Sequence, residues 1–432
     1  MKGVGGEPGR KTNRPGHAWP LAEEGTGSAA WLVAPGLAMI AVTYGMARFA
    51  YGLFVPQMRE AFDLSPSVLG LIGAGSYLGY CVAIVASLVF TSRVGPRFMA
   101  VAAGTVAVVG MATVAGAPAA WVLAAGILVA GSSTGLASPP MGEAVALSVP
   151  EGKQDRSNTL INSGTSVGVA LSGPAALLVA EQWRSAWAAF TAIGLAVLVW
   201  NAFAMPRKLL GTPVDMDDES PPDGPADEAE DEAGNGGGAA TPALSFGYLF
   251  GRRSVALFVA AGGMGFASAA YWTFSRDLVV QAGGLGETGS TLFWTVIGVS
   301  GLAGAGAGDL VRRFGLAKTF RCSLLAMAGA SALLAAAPGV LGLSYLSAAL
   351  FGSAYIMLTG VILVWSVAVF SERPSAGIGA GFLLIAVGQV VGSPVAGALA
   401  GETSLTVAFL AFSGATALTA CVRPCLEGLR IR

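Results

Sequence analysis

Three ionisable side chains sit where water should be scarce, and they are the first candidates for chemistry. Arg48 lies inside an apolar run near the N-terminus, Glu143 follows Pro139-Pro140 in another, and Asp309 closes a third. An ionisable group in a membrane span is costly, so it usually faces an aqueous cavity or a partner. A guanidinium keeps its charge and holds carboxylates through two parallel hydrogen bonds. Arg48 therefore reads as a site for an anionic group of a solute, or as the partner of an acid that moves during gating. A fixed structural pair, or bonds to backbone carbonyls, is the plainer alternative. Glu143 is the candidate for exchanging a proton; a simple helix-end charge paired with Lys153 or Arg156 is its alternative.

Uncharged groups extend the candidate site. Tyr44, Tyr271, Tyr355 and Gln389 fall in apolar runs and could contact a solute. Trp272 and Trp365 could stack on one, and Trp272 reads equally well as part of an interfacial aromatic belt. Asn158 and Asn162 read as hydrogen-bonding groups between helices. The run Gly131-Ser132-Ser133-Thr134-Gly135 lacks the lysine and the strand that a phosphate loop needs, so it reads as a close helix contact.

Other chemistries are excluded by what is missing. The single histidine, His17, lies in a polar tail, and Cys81, Cys322, Cys421 and Cys425 have no metal-site spacing. No metal, cofactor or disulfide framework is expected. Membrane-embedded enzymes need clustered acid–base or metal-binding groups, which these runs do not supply.

Those residues require long apolar helices to position them. The chain is 54% hydrophobic and only 11% charged, too little charge to cover a soluble fold of 432 residues. An apolar stretch of about 20 residues crosses a bilayer as a helix. Twelve such stretches are expected, at roughly 31–55, 67–91, 98–116, 119–147, 158–181, 184–205, 253–275, 289–311, 317–337, 340–369, 375–400 and 403–422. They give an all-α membrane protein with a six-helix bundle over 31–205 and another over 253–422. Residues 1–30 read as a disordered tail, 206–252 as an acidic tether rich in Pro and Gly, and 423–432 as a second tail.

Basic residues test the helix count. With the N-terminus inside, 20 lysines and arginines fall in inside segments. Three, Arg59, Arg184 and Arg276, fall outside, and Arg48 is within a span. That bias places both termini and the tether on the cytoplasmic side. The halves also echo each other. Arg93-Val94-Gly95 returns as Arg313-Phe314-Gly315, Glu151 as Glu372, and Gly164 and Gly168 as Gly388 and Gly392, each 220 to 224 residues on. Two parallel repeats around a central cavity are a transporter plan.

The whole chain resembles the major facilitator superfamily. Its loop signature, Gly-x-Leu-x-Asp-Arg-x-Gly, is similar to Gly308-Asp309-Leu310-Val311-Arg312-Arg313-Phe314-Gly315, although Arg312 stands where the family has Asp. In the first copy only Arg93 and Gly95 remain. The resemblance implies gating roles for Arg93, Gly95, Arg313 and Gly315, with Asp309 as a substitute for the missing acid. It also implies that spans 1, 4, 7 and 10 line the cavity. Gly164, Gly168, Gly173 and Pro174 look like the glycine-rich, proline-ended signature of antiporter branches. Tyr44 to Tyr51, with Pro56 and Met58, resembles a bacterial subgroup called YbfB/YjiJ-like. The expectation is a monomeric secondary transporter of a small organic molecule in the cytoplasmic membrane, proton-coupled, with export as the direction that the glycine and proline pattern suggests, and with the lipid bilayer and no nucleic acid as partner. A receptor or sensor is the alternative, and an embedded enzyme a more distant one.

Overall fold

A computed structural model describes residues 26–179, 182–206, 252–370 and 374–424. The tails and the acidic tether expected from the sequence lie almost wholly outside these residues. Every regular element among the described residues is helical, and the helices join into twelve rods. We number the rods α1 to α12.

Rod α1 joins an α-helix (Thr26–Ile40), a π-helix (Ala41–Phe49) and an α-helix (Ala50–Phe62). Then follow α2 (Pro66–Val94), α3 (Pro96–Ala115), α4 (Ala120–Ser148), α5 (Glu151–Leu178) and α6 (Trp183–Ala204). The second set is α7 (Arg252–Gln281), α8 (Glu287–Gly301, a 3-10 turn Leu302–Gly306, and Ala307–Phe314), α9 (Leu316–Ala336), α10 (Leu341–Val369), α11 (Pro374–Glu402) and α12 (Leu405–Thr419). Ten helices among the described residues are long and apolar enough to cross a membrane. The other two rods are α5, whose first turns carry charge, and α12, which is short. In a bilayer every backbone group must be satisfied within the protein, which is why apolar runs of this length become helices. Leu71, Val82, Trp121, Leu178 and Phe203 point outward, toward lipid.

Local chemistry sets the boundaries. Ser65 caps α2 by accepting from the Val68 N–H, with Pro66 in the first turn, and Ser404 caps α12 in the same way. Gly95 and Gly315 carry the chain from one rod straight into the next at φ 87° and 85°, a backbone conformation that suits glycine. These two loop glycines of the sequence repeat thus have the same backbone geometry. We call the face with these two loops, where the described chain begins and ends, the terminal face, and the opposite one the distal face.

The repeat extends to packing. A Cβ on Gly164 or Gly168 of α5 would stand 2.3 and 2.1 Å from the Leu37 and Ala41 carbonyl oxygens of α1. On Gly388 or Gly392 of α11 it would stand 2.1 and 2.5 Å from the Gly262 and Phe266 carbonyl oxygens of α7. Those carbonyls are 225 residues apart in the chain, and the glycines 224. Between the halves, α2 lies on α11 and α5 lies on α8. Gly397 of α11 meets the Pro66 carbonyl, and Gly173 of α5 meets the Thr291 carbonyl, again related by nearly the same offset. Two pseudo-equivalent seams of small residues therefore join the bundles, as expected where membrane helices approach closely.

Candidate functional site

The π-helix of α1 decides where Arg48 points. Its widened turn is closed by the Ala50 N–H donating to the Gly45 carbonyl, five residues back. Such segments insert extra residues into a helix and recur at functional sites. Gly45 lies against the backbone of Gly168 in α5, which anchors the widened turn from behind. Arg48 is thereby turned toward the seam between the halves, 6% exposed.

Its surroundings are aromatic and uncharged. The guanidinium carbon lies 4.6 Å from the Tyr80 ring centre, 4.9 Å from Tyr77, 5.2 Å from Phe49 and 5.8 Å from Tyr44. Each ring face attracts a cation. Arg48 Nη2 donates to Gln389 Oε1 of α11 at 2.8 Å. Gln389 Nε2 in turn donates to the Tyr355 hydroxyl of α10 at 3.3 Å and to Ser268 of α7 at 3.4 Å. That arrangement fixes the amide with its oxygen toward the arginine. Among the described residues no carboxylate comes within ion-pair distance of Arg48, and its Nε has no acceptor.

Of the five solute-site candidates, Arg48, Tyr355 and Gln389 share one hydrogen-bonded cluster. Tyr44 flanks the cluster, and its hydroxyl is 2.7 Å from Ser138. Tyr271 lies elsewhere: its ring stacks on Phe351 at 3.7 Å and its hydroxyl bonds Ser347, inside the second bundle. Trp272 is no belt residue. It is 3% exposed, stacks on Phe49 at 4.0 Å and meets Tyr355 edge-on at 5.1 Å. Trp365 is buried against Phe320 of α9, away from the cluster. A narrow cleft lined by Arg48, Phe49, Tyr51, Tyr77 and Trp272 opens beside the guanidinium.

The profile of the Major Facilitator Superfamily matches residues 37–376. This chain belongs to that superfamily. Among solved structures, a mutant of the nucleoside transporter NupG superposes with TM-score 0.67 at 12% identity, covering 91% of this chain and 98% of that one. A bacterial homolog of the human lysosomal transporter Spinster, inward-facing and unoccupied, superposes with TM-score 0.65 at 14% identity over 92% and 95% of the two chains. Its occupied form gives 0.66 at 12% over 91% and 94%. At these identities the likeness is one of fold. No curated protein matches the chain. Membership makes the protein a multi-pass membrane transporter rather than an enzyme.

The resemblance makes the loops at the terminal face candidates for a gate. Asp309 pairs with Arg312, one helical turn along the same helix, and both are exposed. Arg313 lies over the Phe314 ring, and Arg93 is exposed. The described residues thus give Asp309 no partner in the other half. Glu143 is half-buried near the terminal end of α4 and forms no ion pair with Lys153 or Arg156. Gly164 and Gly168 pack within the first bundle, whereas Gly173 and Pro174 belong to the α5 stretch beside α8.

The distal face holds a cluster that the sequence reading missed. It ends span 7 near 275 and places Arg276 in an outer loop. Helix α7 continues to Gln281, and Arg276 and Asp277 are fully buried. Arg276 reaches the Leu53 carbonyl and Gln57 of α1, at 3.0 Å for the latter, and also Glu287, Ser290 and Thr291 of α8. Gln57 Nε2 donates to Glu287 at 2.6 Å. Arg59 of α1 pairs with Asp277 at 3.0 Å, although neither carboxylate oxygen is in hydrogen-bond geometry. Both arginines thus tie the halves together at the distal end. The signal was present: Leu278-Val279-Val280 resumes the apolar run after the charged pair.

Proposed function

We propose that the chain is a secondary active transporter that moves a small organic solute across the cytoplasmic membrane by alternating access, with Arg48 at the solute site. One observation carries the reading. A buried guanidinium at the seam between the halves has a neutral amide and aromatic rings around it and, among the described residues, no carboxylate at ion-pair distance. A buried charge without a counter-charge is expensive, and an anionic group on the solute would supply one. The distal ties support a cycle in which the halves close at one face and part at the other.

Proton coupling through Glu143 is the second element of the proposal. It is supported by the half-buried position of that carboxylate and its lack of an ion-pair partner among the described residues. The glycine and proline pattern of α5 favours export. Cytoplasmic termini follow from the basic-residue bias, which sharpens once Arg276 is removed from the outer loops. Residues 31–205 and 253–422 act as the two rocking units and 206–252 as their tether.

Purified protein in liposomes tests the proposal by solute flux with and without an imposed pH gradient. Arg48→Ala and Arg48→Lys should both lose flux; full activity in both sinks the assignment. Glu143→Gln should make flux insensitive to the gradient. Undiminished pH dependence in that variant removes Glu143 from the mechanism.

A further inference from the structure

We propose that the cleft between α1, α2 and α7 is a carboxylate subsite, built from Arg48 and Trp272, and that the solute is a monocarboxylate with a flat apolar body. This rests on the transport reading and narrows it to one chemical class.

Two residues of one cleft carry a buried donor without an acceptor in hydrogen-bond geometry. Arg48 Nε and Trp272 Nε1 are buried, neither has an acceptor in hydrogen-bond geometry although the indole stands close to the Tyr355 hydroxyl, and both residues line the same cleft. A guanidinium and an indole can only donate. Buried donors are normally satisfied, and each exception calls for an explanation. A carboxylate supplies two acceptor oxygens and one negative charge, which answers both the unpaired donors and the uncompensated cation. Ser76, also lining the cleft, has an unpartnered hydroxyl, but that group lies against Gly131 of α4.

Gln389 sharpens the class. Its Nε2 is spent on Tyr355 and Ser268, so only its oxygen faces Arg48. It orients the guanidinium without neutralising it. None of the cleft-lining residues is acidic, so an ammonium group finds no carboxylate there, only ring faces already shared with the Arg48 guanidinium. That favours a simple carboxylate over an amino acid. The remaining walls are Phe49, Tyr51, Tyr77 and the Trp272 ring itself, which suit a flat apolar body. The free volume is about 10 Å³, room for one water-sized atom. In this closed arrangement the cleft has room for one oxygen of the headgroup, and the rest of the solute is accommodated as the halves part.

Benzoate is the probe, with benzamide as its neutral analogue and phenylalanine as its zwitterionic one. Binding to the full-length protein in detergent is read by tryptophan fluorescence and by thermal shift. Saturable benzoate binding is expected, at least tenfold tighter than for benzamide or phenylalanine. Trp272→Phe should weaken benzoate at least tenfold. Gln389→Glu is the second variant, because it places a carboxylate beside Arg48 within the protein. It should keep or raise the melting temperature while abolishing benzoate binding. Equal binding of the three probes, no benzoate binding, or unchanged benzoate binding in a folded Gln389→Glu protein overturns the subsite. Flux of the same probes in liposomes separates this from the transport reading. Flux of phenylalanine or benzamide without benzoate binding keeps the transporter and discards the carboxylate. Benzoate binding with no flux of any probe keeps the subsite and discards transport.

Discussion

Arg276 is the residue whose removal should most change the balance between the two faces. It is fully buried and makes two hydrogen bonds into the first half, to the Leu53 carbonyl and Gln57. Its bonds to Glu287, Ser290 and Thr291 stay within the second half. Only the cross-half bonds are lost when the distal face opens, so only they set the conformational balance. A hydrogen bond to a charged group contributes about 1.5–3 kcal/mol, so two give about 3–6 kcal/mol. The Gln57–Glu287 bond also crosses the halves and survives substitution, so the lower end is the better estimate. About 3 kcal/mol corresponds to roughly a hundredfold shift toward the distal-open state. Spin labels at Glu60 and Glu402, exposed distal positions on opposite halves, report that opening after the four native cysteines are replaced. Arg276→Ala should move most of the distance distribution to longer values, and Arg276→Lys should give an intermediate result. Superimposable distributions for the wild-type and Arg276→Ala proteins, with both folded, would refute the assignment of this cluster as a distal clasp.

The same label pair tests the second tie. The Arg59–Asp277 attraction exists only while the carboxyl is ionised, so it is present at higher pH and lost as pH falls. Arg59 is about one-fifth exposed, which limits the pair to about 1 kcal/mol, roughly fivefold in population. Acidification should therefore lengthen the wild-type distance distribution, and Asp277→Asn should remove that pH response; a variant with the wild-type response contradicts it. Gly168→Ala and its repeat equivalent Gly392→Ala should each lower the melting temperature, because a methyl group would stand 2.1 and 2.5 Å from a carbonyl oxygen of the neighbouring rod. Overpacking of this kind costs about 1–3 kcal/mol, and a matching loss at both positions checks the repeat energetically. Asp309→Asn should leave stability and flux within error, since it breaks only an exposed pair worth about 0.5 kcal/mol or less. A large loss of flux would restore Asp309 to the gate.

Much of the architecture can be read from the chain without coordinates. Twelve apolar runs become twelve rods, because lipid leaves the backbone no partner but itself. The duplicated glycines predict matching contacts, because a residue without a side chain is what permits two rods to touch. Arg48 stands out in the sequence because charge inside an apolar run is conspicuous.

Only the folded chain assembles the site. Gln389 is 341 residues from Arg48, and no local pattern pairs them. Tyr77 and Tyr80 share a face of α2, a helical spacing visible in the sequence, yet nothing local says that this face meets Arg48. Tyr271 and Trp272 are adjacent in sequence, and the turn of α7 sends one into the second bundle and the other to the seam. Arg276 and Asp277 look like a loop because hydropathy averages over a window, and their charge outweighs their neighbours. Burial becomes affordable there only through acceptors on α1 and α8, which the tertiary fold brings to them. The sequence by itself determined the rods and where rods can touch, since both follow from local composition. The tertiary structure decided which charges are satisfied and which donors are left over, since those depend on partners hundreds of residues away.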